Sequence, residues 1–281
     1  MVAPNLFPDW LERWRLTPDG PAFSTGIGSR LMPVIAAGEP AMLKLAAGEE
    51  ERRGGALMEW FAGEGAARVL AREGDAILLE RATGGASLEA MARNGQDDAA
   101  AAILCQVAAG LHAPRNRAPP DTLVPLDRWF RQLEPAAAAH GGTLAKSAAA
   151  ARELLAEPRE VVVLHGDLHH GNVLDAGERG WIVIDPKGLI GERGFEFANI
   201  FLNPCPEVAQ APGRMGRLVG IIAQLADFEP ARLVRWILAY SGLSAAWHLD
   251  SGEPAQAKKA LAIAETAAAG LALTGRPRSR R

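Results

Sequence analysis

His165-Gly166-Asp167-Leu168-His169-His170-Gly171-Asn172-Val173-Leu174, followed by Ile184-Asp185-Pro186-Lys187-Gly188, is the stretch on which the reading of the chain turns. Two β-rich runs frame it, Val161-Val162-Val163-Leu164 before the first segment and Trp181-Ile182-Val183-Ile184 running into the second. Branched and aromatic residues favour pleated backbone, so two strands are predicted, with Asp167, Asn172 and Asp185 at their ends. Transfer of a phosphoryl group to a hydroxyl needs this set of side chains. One carboxylate orients the hydroxyl and accepts its proton, while an amide and a second carboxylate hold Mg²⁺ on nucleotide phosphates. The interval from Asp167 to Asn172 is that of a kinase catalytic loop, and a short hairpin then brings Asp185 to the metal. The cluster His165, Asp167, His169 and His170 also fits a metal-dependent hydrolase, since His and Asp at such spacing bind zinc or a metal pair. That alternative leaves Asn172 and the Asp-Pro-Lys-Gly turn unused.

Outward toward the N-terminus, short apolar segments alternate with turn signals at Asp19-Gly20, Gly26 to Gly28, Gly38-Glu39 and Gly74-Asp75, which predicts an antiparallel sheet. The candidate strand Ala41-Met42-Leu43-Lys44-Leu45 sets one lysine among apolar neighbours, a costly place for an unpaired charge. Glu49 to Phe61 has helical spacing and opens with Glu49-Glu50-Glu51, so an acidic partner for Lys44 is at hand. Glu51 is the choice, with Glu50 next. Ser24-Thr25-Gly26-Ile27-Gly28-Ser29 is read as a loop over the phosphates, because Gly26 and Gly28 permit close backbone approach and Ser29 follows them. The strand Ala76 to Glu80 ends at Arg81-Ala82-Thr83-Gly84-Gly85, where helical periodicity takes over. A nucleotide-binding lobe over 1–82 and a helical lobe over 83–281 are expected.

Beyond that break, two helices are predicted from Ser87 to Leu111, others over Leu126 to His140 and Thr143 to Glu157, and three between Pro206 and Leu273, bounded by Pro and Gly. At 48% hydrophobic and 22% charged the chain is an ordinary globular one, and 281 residues favour two lobes over one core. A formal net charge of -3 provides no basic footprint for nucleic acid or anionic membrane. Cys105 and Cys205 form no disulfide framework and are read as reduced structural thiols. No apolar run has the length of a membrane span, and the N-terminus lacks the pattern of a signal peptide. A cytoplasmic monomer without nucleic-acid or membrane partners is expected.

The motif His-Gly-Asp-x-His-x-x-Asn, met by His165, Gly166, Asp167, His169 and Asn172, resembles the aminoglycoside phosphotransferase family across nearly the whole chain. Within that family the chain looks most like the streptomycin 6-phosphotransferase group. The likeness lies in Leu-His-Gly-Asp-Leu-His-His, Ile-Asp-Pro-x-Gly-Leu-Ile-Gly-Glu-Arg (184–193), Ala-Asn-Ile-Phe (198–201) and Gly-Leu-Ser-Ala-Ala-Trp (242–247). Gly65 to Val69 and Asn94 to Asp98 add to it. The resemblance implies an α+β, protein-kinase-like bilobal fold, with a small antiparallel-sheet N-lobe holding one helix and a larger, mostly helical C-lobe. It also implies ATP and Mg²⁺ as cofactors, adenine against the backbone of Glu80 to Ala82, and a cationic aminoglycoside as substrate. The 6-hydroxyl of streptomycin is the expected acceptor, with hydroxyurea as an alternative. Two positions depart from the family pattern: Gly171 stands where relatives carry Glu, and Glu196 where they carry Asp. Glu196 is read as supporting the catalytic loop from behind. Streptomycin bears two guanidinium groups, which call for carboxylates. Glu192, Glu196, Asp227, Glu229, Asp250 and Glu253 are the candidates, none preferred.

Overall fold

The structure, a computed structural model, describes residues 7–25 and 29–274. It begins with helix α1 (Phe7–Arg13), ahead of the expected strands, where Phe7, Trp10, Leu11 and Trp14 recur at helical spacing. The N-lobe sheet is built from β1 (Thr17–Pro18), β2 (Phe23–Thr25), β3 (Ser29–Ala36), β4 (Glu39–Leu45), β5 (Val69–Glu73) and β6 (Ala76–Glu80). Its order is β1-β3-β4-β6-β5 with β2 also on β3, and every pair is antiparallel. Strand β4 lies inside the sheet, and its alternation divides two environments. Ala41, Leu43 and Leu45 are buried in the small core that also holds Phe7 and Val34, while Met42 and Lys44 point to the opposite face.

Helix α2 (Glu49–Phe61) follows β4 and turns Leu57, Met58 and Phe61 into the main core, with Gly54 and Gly55 also buried. The chain leaves the sheet after Glu80 and enters α3 (Leu88–Arg93), whose first turn is capped by Ser87 Oγ accepting from Ala90 N. Then come α4 (Asp97–His112), strand β7 (Val124–Pro125), α5 (Leu126–Trp129), α6 (Leu133–His140) and α7 (Gly142–Ala156). The single helix expected over 126–140 is broken into α5, a 3₁₀ turn at Phe130–Gln132, and α6.

The catalytic island lies among these helices. Strand β8 (Val161–Leu164) pairs antiparallel with β11 (Leu189–Glu192), and β11 lies parallel to β7. Strands β9 (Val173–Asp175) and β10 (Trp181–Val183) form the predicted hairpin. A ten-residue 3₁₀ helix, Arg193–Leu202, then leads to α8 (Pro206–Ala209), α9 (Arg214–Leu225), α10 (Pro230–Asp250) and α11 (Pro254–Thr274). Four helices thus occupy the region where three are expected, the extra one being the short α8. Helix α10 runs through the lobe with Trp236, Ile237, Tyr240 and Leu243 buried. Cys105 and Cys205 are buried free thiols, and burial pushes Cys105 up to about 12. Among the described residues no helix is long and apolar enough to cross a membrane.

Candidate active site

Asp167 stands at the end of β8, on a loop held from three sides. His165 is fully buried; its Nε2 donates to Ile184 O (2.8 Å), and its Nδ1 accepts from Asp167 N (3.2 Å). This pattern is that of a neutral imidazole, in keeping with burial, which drives its pKa down. Behind the loop, the buried Glu196 accepts from His165 N (2.7 Å) and Gly166 N (2.9 Å), with His112 Nε2 at 3.3 Å. Burial alone would raise its pKa, but the hydrogen bonds from His112 and the Gly166 N–H hold it below the usual carboxylate range. Gly166 has φ +86°, and a Cβ there would meet the Leu189 side chain at 2.8 Å, so the loop admits only glycine.

The Asp167 carboxylate is oriented by two amides: Asn199 Nδ2 donates to Oδ1 (2.7 Å) and Asn172 Nδ2 to Oδ2 (3.3 Å). Asn172 Nδ2 also donates to Asp167 O (2.9 Å), so both side-chain hydrogen bonds of Asn172 use its nitrogen and its amide oxygen is left for a metal ion. Asn199 lies in the 198–201 motif, but its bond to Asp167 is not legible there, because the two residues are brought together only by the 3₁₀ helix. Asp185 follows β10 with φ +60°, a left-handed conformation that a non-glycine residue adopts at a cost.

Lys44 is ion-paired to both Glu51 and Asp185. Glu51 is therefore the partner, as expected, and the neighbouring Glu50 takes a different lysine: Lys187 Nζ lies 3.2 Å from Glu50 Oε1, 3.8 Å from Asp167 Oδ2 and 3.9 Å from Asp185 Oδ2. In sequence Lys187 is only a lysine in the turn after Asp185, with nothing to mark these contacts. Burial opposes its charge, yet Asp167, Asp185, Glu50 and Glu51 outweigh burial and keep it protonated above the usual lysine range. For Asp185, burial is likewise outweighed, by Lys44 and Lys187, and its pKa is lowered.

Two cavities meet at Asp185, and a third, of about 420 Å³, opens beside Asp167 and His169. One, of about 470 Å³ and largely apolar in its lining, lies under the sheet among Met42, Lys44, Met58, Ile77, Leu79 and Ala82. Glu80 also lines it, while its carboxylate is tied to Arg179 and Arg68. The other, of about 720 Å³, lies on the C-lobe side among Asp167, Lys187, Trp129, Tyr240, Trp247 and Asp250. Glu51, Asn172 and Asp185 line both. Of the six carboxylates considered for a cationic ligand, Asp250 lines the second cavity. Glu192 is instead buried under Arg232 and Trp236, Glu253 holds His248, and Arg159 lies 3.9 Å from Glu229. Ser29 opens β3 with its hydroxyl buried and lies off the cavity walls; Gly26 and Gly28 lie outside the described residues.

A carboxylate and an amide oxygen with space for phosphate oxygens fit Mg²⁺, which takes few protein ligands and completes its shell with water and phosphates. The hydrolase alternative fares worse: the His165 nitrogens are both engaged, His169 Nδ1 accepts from Gly171 N (3.0 Å), and His170 is packed beside Asp97, away from Asp167. The arrangement suits in-line transfer of a phosphoryl group from one cavity to an acceptor in the other.

Comparison with known proteins accords with this geometry. Residues 13–252 match the family described as aminoglycoside/hydroxyurea antibiotic resistance kinase. The chain is 49% identical to a streptomycin 3''-kinase of Klebsiella pneumoniae over 264 residues, 92% of this chain and 98% of the relative. It is 35% identical to a hydroxyurea phosphotransferase of Kitasatospora aureofaciens (93% and 78% covered), and 30% identical to a streptomycin 6-kinase of Streptomyces griseus (94% and 89%). Among solved structures, a thermostable mutant of aminoglycoside phosphotransferase APH(4)-Ia in ternary complex with ADP and hygromycin B superposes with a TM-score of 0.67 at 14% identity, covering 94% and 98% of the two chains. A choline kinase of Cryptosporidium parvum gives 0.64 at 13%, covering 91% and 90%. The expected protein-kinase-like fold is therefore the observed one.

Proposed function

The chain belongs to the aminoglycoside/hydroxyurea antibiotic resistance kinase family, and on that premise we propose that it transfers the γ-phosphoryl group of ATP to streptomycin, at the 3'' hydroxyl. The observation that carries the substrate and position is the 49% identity, along almost the full length of both chains, to a streptomycin 3''-kinase. The 6-hydroxyl suggested by the sequence motifs is the second reading, supported by the 30% identity to a streptomycin 6-kinase. Hydroxyurea is the third, supported by its phosphotransferase at 35%.

In this reading the adenine enters the apolar cavity against the backbone of Glu80 to Ala82, and Lys44, held by Glu51, faces the donor phosphates. Asp185 and Asn172 are the residues that would hold Mg²⁺, whose charge, when it is bound, offsets that of the phosphates. Asp167, with its carboxylate fixed by Asn172 and Asn199, orients the acceptor hydroxyl and takes its proton. As the acceptor oxygen bonds to the γ-phosphorus, the bond from that phosphorus to the β-bridging oxygen breaks and ADP leaves.

The test is ADP release by purified protein with ATP and Mg²⁺ in the presence of streptomycin, hydroxyurea, kanamycin or no acceptor, followed by phosphorus NMR of the product. Streptomycin-dependent release with phosphate on the 3'' position is expected, and Asp167→Asn should lower kcat by roughly 10²- to 10⁴-fold. Phosphate on the 6 position would select the second reading and release with hydroxyurea alone the third. Undiminished turnover in Asp167→Asn would sink the assignment of the base.

A further inference from the structure

The segment from Glu160 to Asp175, which carries Asp167 and Asn172, contains no lysine or arginine. A phosphoryl group crossing from donor to acceptor passes this loop with its equatorial oxygens charged, and such sites stabilise that charge with fixed cations. Lys44 lines the sheet-side cavity, where it is engaged by Glu51 and Asp185. Lys187 lines the acceptor-side cavity together with Asp167. Its ammonium lies 3.8 Å from the Asp167 carboxylate and 3.9 Å from that of Asp185, at the boundary where the cavities join. His169 Nε2 also lies 3.9 Å from Asp167 Oδ1, on a ring whose Nδ1 accepts from Gly171 N (3.0 Å).

The backbone around Lys187 is anchored. Lys187 N donates to His165 O (2.7 Å), and Arg53 Nε donates to Lys187 O (2.8 Å). Helix α2 approaches the same segment so closely that a Cβ on Gly54 would come within 2.2 Å of Pro186 O. From that helix Glu50 reaches Lys187 as Glu51 reaches Lys44, so consecutive residues of one turn hold one lysine on each side of Asp185.

We propose that Lys187 is a second phosphoryl-binding cation, contacting the oxygens of the group in transit from the acceptor side while Lys44 holds the donor side. The inference rests on the kinase reading but not on the identity of the acceptor. Lys187 keeps its proton throughout; the proton released by the acceptor goes to Asp167, and the Lys187 ammonium attracts the oxygens of the phosphoryl group more strongly as the bond to ADP lengthens.

The deciding measurement needs no acceptor. Binding of Mg·ADP is measured by calorimetry with and without fluoroaluminate, a planar mimic of the phosphoryl group in transit, for the unmodified protein, Lys187→Met and Lys187→Arg. The unmodified protein should bind Mg·ADP more tightly with the mimic. Lys187→Met should lose about 100-fold of that tightening while Mg·ADP alone binds within threefold of normal, and Lys187→Arg should recover part of the loss. An equal tightening in Lys187→Met, or none in the unmodified protein, overturns the proposal. So does an equal loss for Mg·ADP alone, which would make Lys187 a donor-side or structural charge. Failure of streptomycin as acceptor, by contrast, would appear in the turnover assay and leave this measurement intact.

Discussion

Glu196 carries an ionised carboxyl into the interior, where its visible partners are the two backbone N–H groups that set the path of the loop before Asp167, with His112 beside it. Glu196→Gln keeps the size but weakens charge-assisted hydrogen bonds, and a loss of about 2–3 kcal/mol in unfolding free energy with a lower kcat is expected from denaturant titration and turnover. His170 makes a different prediction. It is buried with neither ring nitrogen hydrogen-bonded to a described residue, and burial, with Arg214 nearby, lowers its pKa from 6.5 to about 4. A group depressed on folding contributes stability that is present above its unfolded pKa and lost as pH falls toward its folded one. The protein should therefore lose on the order of 3 kcal/mol through His170 as pH falls from 6.5 to about 4. His170→Leu should flatten that part of a stability–pH curve, and an unchanged slope would refute the argument; His165, shifted in the same direction, keeps some slope in the variant. That Asp167, Asn172 and Asp185 come together around one cavity was legible in the sequence, because their intervals set them at the ends of neighbouring β-rich runs. Lys187 was not, since a lysine after a turn looks the same whether it is solvated or aimed at three carboxylates.

At the scale of elements, α2 is the part whose placement reaches furthest. A Cβ on Gly54 would strike a backbone oxygen, while one on Gly55 would meet only the side chains of Arg72 and Ile77 at ordinary distances. Gly54→Ala should thus push α2 off the Asp185–Gly188 segment, costing about 1–3 kcal/mol and at least tenfold in kcat. Gly55→Ala should be neutral or stabilising by up to about 1 kcal/mol, through helix propensity. Comparable activities in the two variants would show that the contact is dispensable. Helices α4 and α9 are joined by another buried device: Arg214 holds Asp97 through two hydrogen bonds, 2.8 and 3.0 Å, and its remaining donors reach the carbonyls of Ile200, Phe201 and Asn203. Asp97→Ala would strand that guanidinium, and a loss of about 3–5 kcal/mol in denaturant unfolding is expected. The long helices were legible from period and Pro/Gly boundaries. The 3₁₀ helix at Arg193–Leu202 was not, for Gly194 to Phe201 are all buried, the polar Glu196 and Asn199 among them, so polarity there does not mark an exposed face.

For the molecule as a whole, a ligand that binds the folded form alone raises the melting temperature by mass action. Mg·ATP at about 100 times its Kd should add about 2.7 kcal/mol, a rise of roughly 5–10 °C for a chain of this size. Lys44→Met should abolish most of the rise, and a shift below about 1 °C in the unmodified protein would count against nucleotide binding. The two-lobed layout was legible where strand periodicity stops and helical periodicity begins, near Gly84-Gly85. The shape of the larger cavity was not, because Trp129 of α5 meets Tyr240, Trp247 and Asp250 of α10 only in the folded chain and each reads alone as an ordinary helix residue. The shared wall of Glu51, Asn172 and Asp185 has a pharmacological consequence. A bisubstrate compound, with a flat apolar head for one chamber tethered to a cationic polyol for the other, would enter its second half at an effective concentration near millimolar. Such a tether, cut to the span between chambers, would fill both cavities with one molecule.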